Sequence, residues 1–302
     1  MKKVSLFVFL FCFFAIVVSA QSFDDLISQV ENLHSQDAQQ EALSLLQQML
    51  SGDLDSSQRA EVLWRMSRAQ LSYADQRENA GADTDELLSM FDQGKQYAIE
   101  AIEQNPVSVP ALYWQASNIG RWGQTKGILD SLALADDMRD LLAQAIELDP
   151  NHADSYYVLS QLYLALPGLI SFGDKDYSVS LARKAVELME QEISSGARTG
   201  SYNRINFSFY IKLAEALHER DWSQRKRNSR LTDKREEFAE ATNALERAWY
   251  FEGQTTIPDM SDEDEADMIL ADVIEQLEAI PAPGVFDTRD LEDARLLAAD
   301  WD

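Results

Sequence analysis

Two phrases in this chain end alike: Ala101-Ile102-Glu103-Gln104-Asn105-Pro106 and Ala145-Ile146-Glu147-Leu148-Asp149-Pro150. In each, a helical rhythm of apolar residues runs into Asn or Asp and then Pro, and the residue before a proline is pushed out of the helical region. A third stretch, Ala185-Val186-Glu187-Leu188-Met189-Glu190, keeps the opening and lacks the proline. A chain that repeats its helix ends is built from repeated helical units. Helical spacing of apolar residues runs through the rest of the chain, and no sustained apolar/polar alternation marks a strand. Ser51-Gly52-Asp53, Leu166-Pro167-Gly168 and Ser195-Gly196 fall between amphipathic segments as punctuation. The expectation is an all-α fold of antiparallel helix hairpins.

Upstream of each end lies a matching first helix: Leu63-Trp64-Arg65-Met66-Ser67, Tyr113-Trp114-Gln115-Ala116-Ser117 and Tyr156-Tyr157-Val158-Leu159-Ser160. A weaker one is Tyr210-Ile211-Lys212-Leu213-Ala214, paired with Ala241-Thr242-Asn243-Ala244-Leu245. A large residue followed one turn later by a smaller one, then a second helix opening on Ala and closing on Asp/Asn-Pro, resembles the tetratricopeptide repeat. That resemblance implies a TPR-like α-solenoid. The chain departs from the family's usual period of ~34, because Pro106 and Pro150 stand 44 positions apart. The extra residues, Arg121–Ala135 and Leu166–Asp176, form either functional loops or lengthened helices. Phe23–Leu33 and Gln39–Leu50 read as a capping pair, and Asp262–Leu277 and Asp290–Trp301 as closing helices around Pro281-Ala282-Pro283-Gly284. The expected organisation is a leader at 1–20 and one domain at 21–302: a cap over 21–52, repeats over about 57–250 and closing helices over 260–302.

A narrower resemblance covers Ala111 to Leu188, about a quarter of the chain. With Leu112-Tyr113-Trp114, Glu147-Leu148-Asp149-Pro150, Leu166-Pro167-Gly168 and Gly173-Asp174-Lys175, it is similar to exported repeat proteins associated with TRAP-type solute transporters. The same stretch is also similar to the repeat domain of the regulator-of-microtubule-dynamics proteins. The first similarity implies a transporter binding protein or permease as partner.

Lys2 and Lys3 precede an apolar run from Val4 to Val18, closed by small residues at Ser19 and Ala20. The pattern predicts a secretory signal peptide cleaved near Ala20, since the run is shorter than the ~20 residues a membrane-spanning helix needs. The chain is then exported, periplasmic or secreted. Cys12 is the single cysteine and would leave with the leader, so no disulfide or thiolate metal site is expected. The net charge of −26 becomes −28 without the two lysines. That excludes nucleic acid as the main partner, which needs a basic footprint.

Helix geometry separates packing positions from groove positions. With Leu63, Tyr113, Tyr156 and Tyr210 packing within each pair, the next positions are Trp64, Trp114, Tyr157 and Ile211. One turn later come Arg68, Asn118, Gln161 and Glu215. An aromatic column beside a polar one suits a ligand or peptide with an apolar body and hydrogen-bonding groups. Equally, the aromatic column serves as packing between neighbouring units. Arg121 and Trp122 follow, placed either to clamp a carboxylate or to stack on each other. The candidate binding residues are thus Trp64, Arg68, Trp114, Asn118, Arg121, Trp122, Tyr157 and Gln161.

Seven basic residues, Arg220, Arg225, Lys226, Arg227, Arg230, Lys234 and Arg235, crowd one short segment of a very acidic chain. They read as a solvated loop or as a dock for an acidic partner or an acidic segment of a neighbouring subunit, for example Asp262-Glu263-Asp264-Glu265. Gly123-Gln124-Thr125-Lys126-Gly127 has the residues of a phosphate loop in the wrong order. His34, His152 and His218 are each isolated, and no nucleophile motif occurs. The sequence therefore predicts a non-enzymatic binding protein with no cofactor or metal. Its expected roles are a scaffold for a protein partner, a carrier of a small apolar ligand, or a structural protein that self-associates as a homo-oligomer.

Overall fold

The computed structural model describes residues 22–196 and 205–301; the leader expected over 1–20 and Cys12 lie outside them. The described residues contain no strand. Five helical pairs follow one another: α1 (Phe23–Ser35) with α2 (Gln39–Leu50), α3 (Ser56–Asn79) with α4 (Thr84–Gln104), α5 (Val109–Lys126) with α6 (Ile128–Leu148), α7 (Ala153–Ala165) with α8 (Lys175–Ser195), and α9 (Phe207–Arg220) with α12 (Asp262–Glu278). Between α9 and α12 the chain inserts α10 (Gln224–Glu240), α11 (Ala244–Trp249) and a 3₁₀ turn (Phe251–Gly253). A last helix, α13 (Val285–Trp301), packs on α12 and α9.

Local chemistry sets these ends. Ser22, Asp55 and Ser261 accept backbone N–H groups three residues on, and Asp25, Gln58 and Asp264 return the bond. Each capping box satisfies donors that the first turn would otherwise leave open. Asn105 and Asp149 stop α4 and α6 in extended backbone before their prolines. Ala101, Ala145 and Ala185, the small residues opening the repeated phrase, are 0–1% exposed and let neighbouring helices close up.

The unusual period now has a cause. Arg121–Ala135 is not a loop: α5 runs to Lys126, α6 begins at Ile128, and the chain reverses at Gly127 alone, with φ of 130°. That left-handed value favours glycine. The repeats are long because their helices are long. Leu166–Asp174 is a true connector, folded back so that Asp174 N–H donates to Tyr163 C=O.

The first helices of successive hairpins touch, α3 with α5, α5 with α7 and α7 with α9. No comparable contact joins α4 to α6 or α6 to α8 among the described residues. An array tighter on one layer than the other curves toward the tight layer, so the first helices form the concave face. α11 packs on α6 and α8 outside, while α13 meets α9 and lies inside.

Candidate functional site

The predicted columns separate in three dimensions. Trp64 is 9% exposed and packs with Leu63, Ala101 and Ala111 against Trp114. Its indole N–H donates to Glu61, and the Arg65 guanidinium lies 4.0 Å from its ring centre. Trp114 meets Tyr113 edge-on at 4.8 Å. This half of the aromatic column packs between units.

The polar column is corrected at two positions. Arg68 is 2% exposed and donates to Glu31 at 3.0 Å, so it is buried in the α1–α3 contact rather than displayed in a groove. Asn118 is fully buried; its amide donates to Trp114 C=O at 2.9 Å and Ser67 Oγ at 3.0 Å. It sits where α4 carries Gly94, and a Cβ there would lie 2.1 Å from Asn118 Oδ1. A buried amide needs these partners; they tie α5 to α3, while Gly94 lets α4 close against the amide. Arg121 and Trp122 form neither clamp nor stack. Arg121 pairs with Asp75 at 2.9 Å and Glu78 at 2.6 Å on α3, whereas the Trp122 indole donates to Asp92 on α4 at 3.2 Å. Burial opposes the Arg121 charge, but Asp75 and Glu78 raise its pKa above the usual arginine value.

Tyr157 and its neighbours reach open space. Tyr157 stacks on Phe209 with ring centres 4.4 Å apart, and burial pushes its phenol up to about 12. Gln161 donates to Tyr157 C=O at 3.3 Å one turn on. Tyr157, Ser208, Ile211, Lys212 and Glu215 form one wall of a cleft of about 480 Å³, and Asp293, Leu296, Leu297 and Asp300 of α13 form the other. Tyr157 and Ile211 supply apolar surface, and Ser208, Lys212 and Glu215 a polar rim. The contribution of α13 escaped the sequence reading. Its signal was the stripe Phe286, Asp290, Ala294, Leu297 and Trp301, spaced at helical intervals.

The basic segment is helical rather than a loop: it runs from Arg220, the last residue of α9, through α10, and acidic counterparts to Arg220, Arg227 and Lys234 lie in the same chain. Arg220 forks onto Asp262 at 2.7 Å, Glu252 at 2.6 Å and Asp176 at 2.8 Å. Arg183 bridges Glu252 and Glu265 at 2.8 and 2.6 Å. Arg227 meets Glu265 and Asp262, and Lys234 meets Asp176 and Glu252. Four cations thus face four carboxylates in an interior where, apart from Asp176 and Arg183, every side chain is 0–3% exposed. Burial alone would push the Glu252 carboxyl up, but Arg220, Arg183 and Lys234 hold it well below the usual carboxylate range. Asp262 and Glu265 occupy the first turn of α12, where the helix dipole also favours negative charge. Gly253 admits the backbone of Lys234, since a Cβ there would lie 2.7 Å from it.

No helix among the described residues is long and apolar enough to cross a membrane, and no cluster of metal-binding side chains forms among them.

Comparison with known proteins agrees with this architecture. A crystal structure of a thermophilic TPR protein from Thermus thermophilus superposes with a TM-score of 0.53, covering 92% of this chain and 98% of that one at 13% identity. The likeness shows the fold. The family model described as regulator of microtubule dynamics protein 1-3 matches residues 26–166, which are α1 to α7. Regulator of microtubule dynamics protein 1 from Bos taurus is 29% identical over 136 residues, 45% of this chain and 40% of that protein. The Pongo abelii protein is 28% identical over 145 residues, 48% of this chain and 44% of its own length. The similarity thus starts nearer the N-terminus than the stretch from Ala111 that carried the resemblance. The chain spans less than half the length of these curated relatives.

Proposed function

We propose that this protein is an exported, non-catalytic helical-repeat scaffold that binds a protein partner on its concave face. The cleft between the α7–α9 wall and α13 supports the reading most directly. In this cleft of about 480 Å³, Tyr157 and Ile211 present apolar surface beside Ser208, Lys212 and Glu215, the mixture of apolar anchor and polar rim that interfaces use. The TPR-like fold supports a protein partner as well. The curated relatives are named for regulating microtubule dynamics. A repeat array reaches such an end by binding protein, and that much of their name is carried over here. Export rests on the leader at 1–20. Within an envelope the partner we propose is a solute-transporter component, on the resemblance of Ala111–Leu188.

Affinity capture from the native envelope with the mature chain tests the scaffold reading. A stoichiometric partner lost on Tyr157→Ala with the fold retained is the expected result; recovery of the chain alone defeats it. The mass of the mature chain reports cleavage near Ala20. A second reading, a carrier of a small apolar ligand, draws on the same cleft, whose volume suits a small molecule. Native mass spectrometry of freshly purified protein checks it, and an empty cleft rejects it.

A further inference from the structure

We propose that the concave face is a helix-binding groove and that α13 is its resident ligand, exchanged for an amphipathic helix of the same build on a partner protein. The inference deepens the scaffold reading above and rests on it.

α13 reaches along the array from its first hairpin to its last. At one end Phe286 approaches the His34 ring at 6.2 Å, and Arg289 lies 3.7 Å from Asp37 in the turn after α1. The same guanidinium acts on Asp75 of α3. In the middle, Asp290 acts on Tyr157 of α7 and Ala294 is fully buried. At the far end Trp301 stacks on His218 of α9, with centres 4.1 Å apart and planes 4° from parallel. Seventeen residues span roughly 25 Å at ~1.5 Å per residue, so one helix bridges the concave layer.

Its seating is that of a ligand more than of a core helix. One stripe meets the array, while Val285 and Leu296 are 48% and 64% exposed. A solvent-open cleft of about 480 Å³ lies between α13 and the α7–α9 wall, so part of the helix is not packed down on the array. The connection to α12 is the turn Pro281-Ala282-Pro283-Gly284. A short tether holds its helix at an effective concentration of ~1 mM. A free helix of equal affinity therefore loses to it at micromolar levels, and a partner displaces it by adding contacts. The fitting partner carries an apolar stripe with aromatic ends over roughly five turns, and a cation in its second turn to meet Asp37 and Asp75, as Arg289 does.

The test uses the full mature chain. Hydrogen exchange of the unaltered protein should show α13 amides exchanging at least tenfold faster than those of α9 and α12, because the resident helix leaves while the array stays folded. A fluorescein-labelled peptide of residues 285–301 should bind the Ala294→Glu chain at least tenfold more tightly than the unaltered one. Should Ala294→Glu unfold the array by circular dichroism, Trp301→Ala, at the end of the stripe, carries the same comparison. Exchange of α13 together with α9 and α12, or equal peptide binding by variant and unaltered chains, overturns the proposal. A chain that runs as a dimer and loses it in Trp301→Ala makes a second copy the occupant, which also overturns it. Envelope capture separates the two readings: a partner held equally with and without Ala294→Glu keeps the scaffold and removes the resident helix. No partner on either chain, with the peptide binding as expected, leaves α13 as a groove ligand and removes the scaffold.

Discussion

The first hairpins and the α8–α12 region are held by different interiors. Around α1, α2 and α3 the apolar core is Val30, Leu43, Leu46, Met49, Val62 and Met66, groups that need volume more than direction, beside the pair of Arg68 with Glu31. Under α10 the interior is Arg183, Arg220, Arg227 and Lys234 against Asp176, Glu252, Asp262 and Glu265. An apolar interior tolerates exchange of shape at constant volume. An ionic one must be complete, because each missing partner strands a charge in low dielectric. The two regions therefore answer differently to the same kind of substitution.

The largest effect is expected from Arg220→Ala, which strands Asp262 and Glu252; loss of one partner of a buried pair costs ~3–5 kcal/mol, read by urea unfolding. Leu46→Ala should cost about 3 kcal/mol as a buried leucine truncation. The conservative pair draws the contrast: Leu46→Met should cost less than about 1.5 kcal/mol. Arg220→Lys, which cannot fork onto three carboxylates, should stay above about 2 kcal/mol, given ~1.5–3 per charged hydrogen bond. Equal tolerance of the two exchanges would erase the distinction.

Acid should unsettle the regions in separate windows. Burial, with Arg68 nearby, lowers the His34 pKa from 6.5 to about 4. A base held neutral in the fold is protonated first in the unfolded chain. Its contribution is full above pH 6.5 and shrinks as pH falls toward 4, by up to about 3 kcal/mol. Glu252 works lower: its folded pKa lies well below 4.5, so its contribution is full above pH 4.5 and is lost as pH falls further. Stability measured against pH with His34→Gln should lose only the upper slope. An unchanged upper slope would assign it to another group.

Smaller effects refine the comparison. Gly94→Ala drives a methyl into Asn118 and should cost ~1–3 kcal/mol as overpacking, partly recovered by Asn118→Ala in the same chain. Arg289→Ala, whose side chain is 43% exposed at a 3.7 Å pair, should change stability by less than ~1 kcal/mol.

The same contrast explains what the sequence disclosed. Asn105-Pro106 and Asp149-Pro150 mark helix ends through their own backbone, so the repeat was legible. Trp64 and Tyr157 hold equivalent positions in their helices, yet one packs against Trp114 and the other lines a cleft. The neighbouring helix decides that, and its arrival is tertiary. The ionic interior was half legible. The acidic segment at 262–265 was identified as a complement to the basic run, but as a neighbouring subunit's, because its bonds to Arg220 cross 42 residues. α10 has no apolar stripe to mark it as a helix, so its sequence suits a solvated loop as well. The sign it did carry was the seven-residue spacing of Arg227 and Lys234, which puts both cations on one face of α10.

Stacked repeats touch only their neighbours, so each can form as soon as the next is present. The meeting of Phe286 with His34 is different, for it joins the last helix to the first across nearly the whole chain. Contacts of such long separation form late. A chain with one hairpin misassembled would present its ends at the wrong distance, and the closing helix would stay loose. Docking of α13 at both ends thus requires that every unit before it be in register.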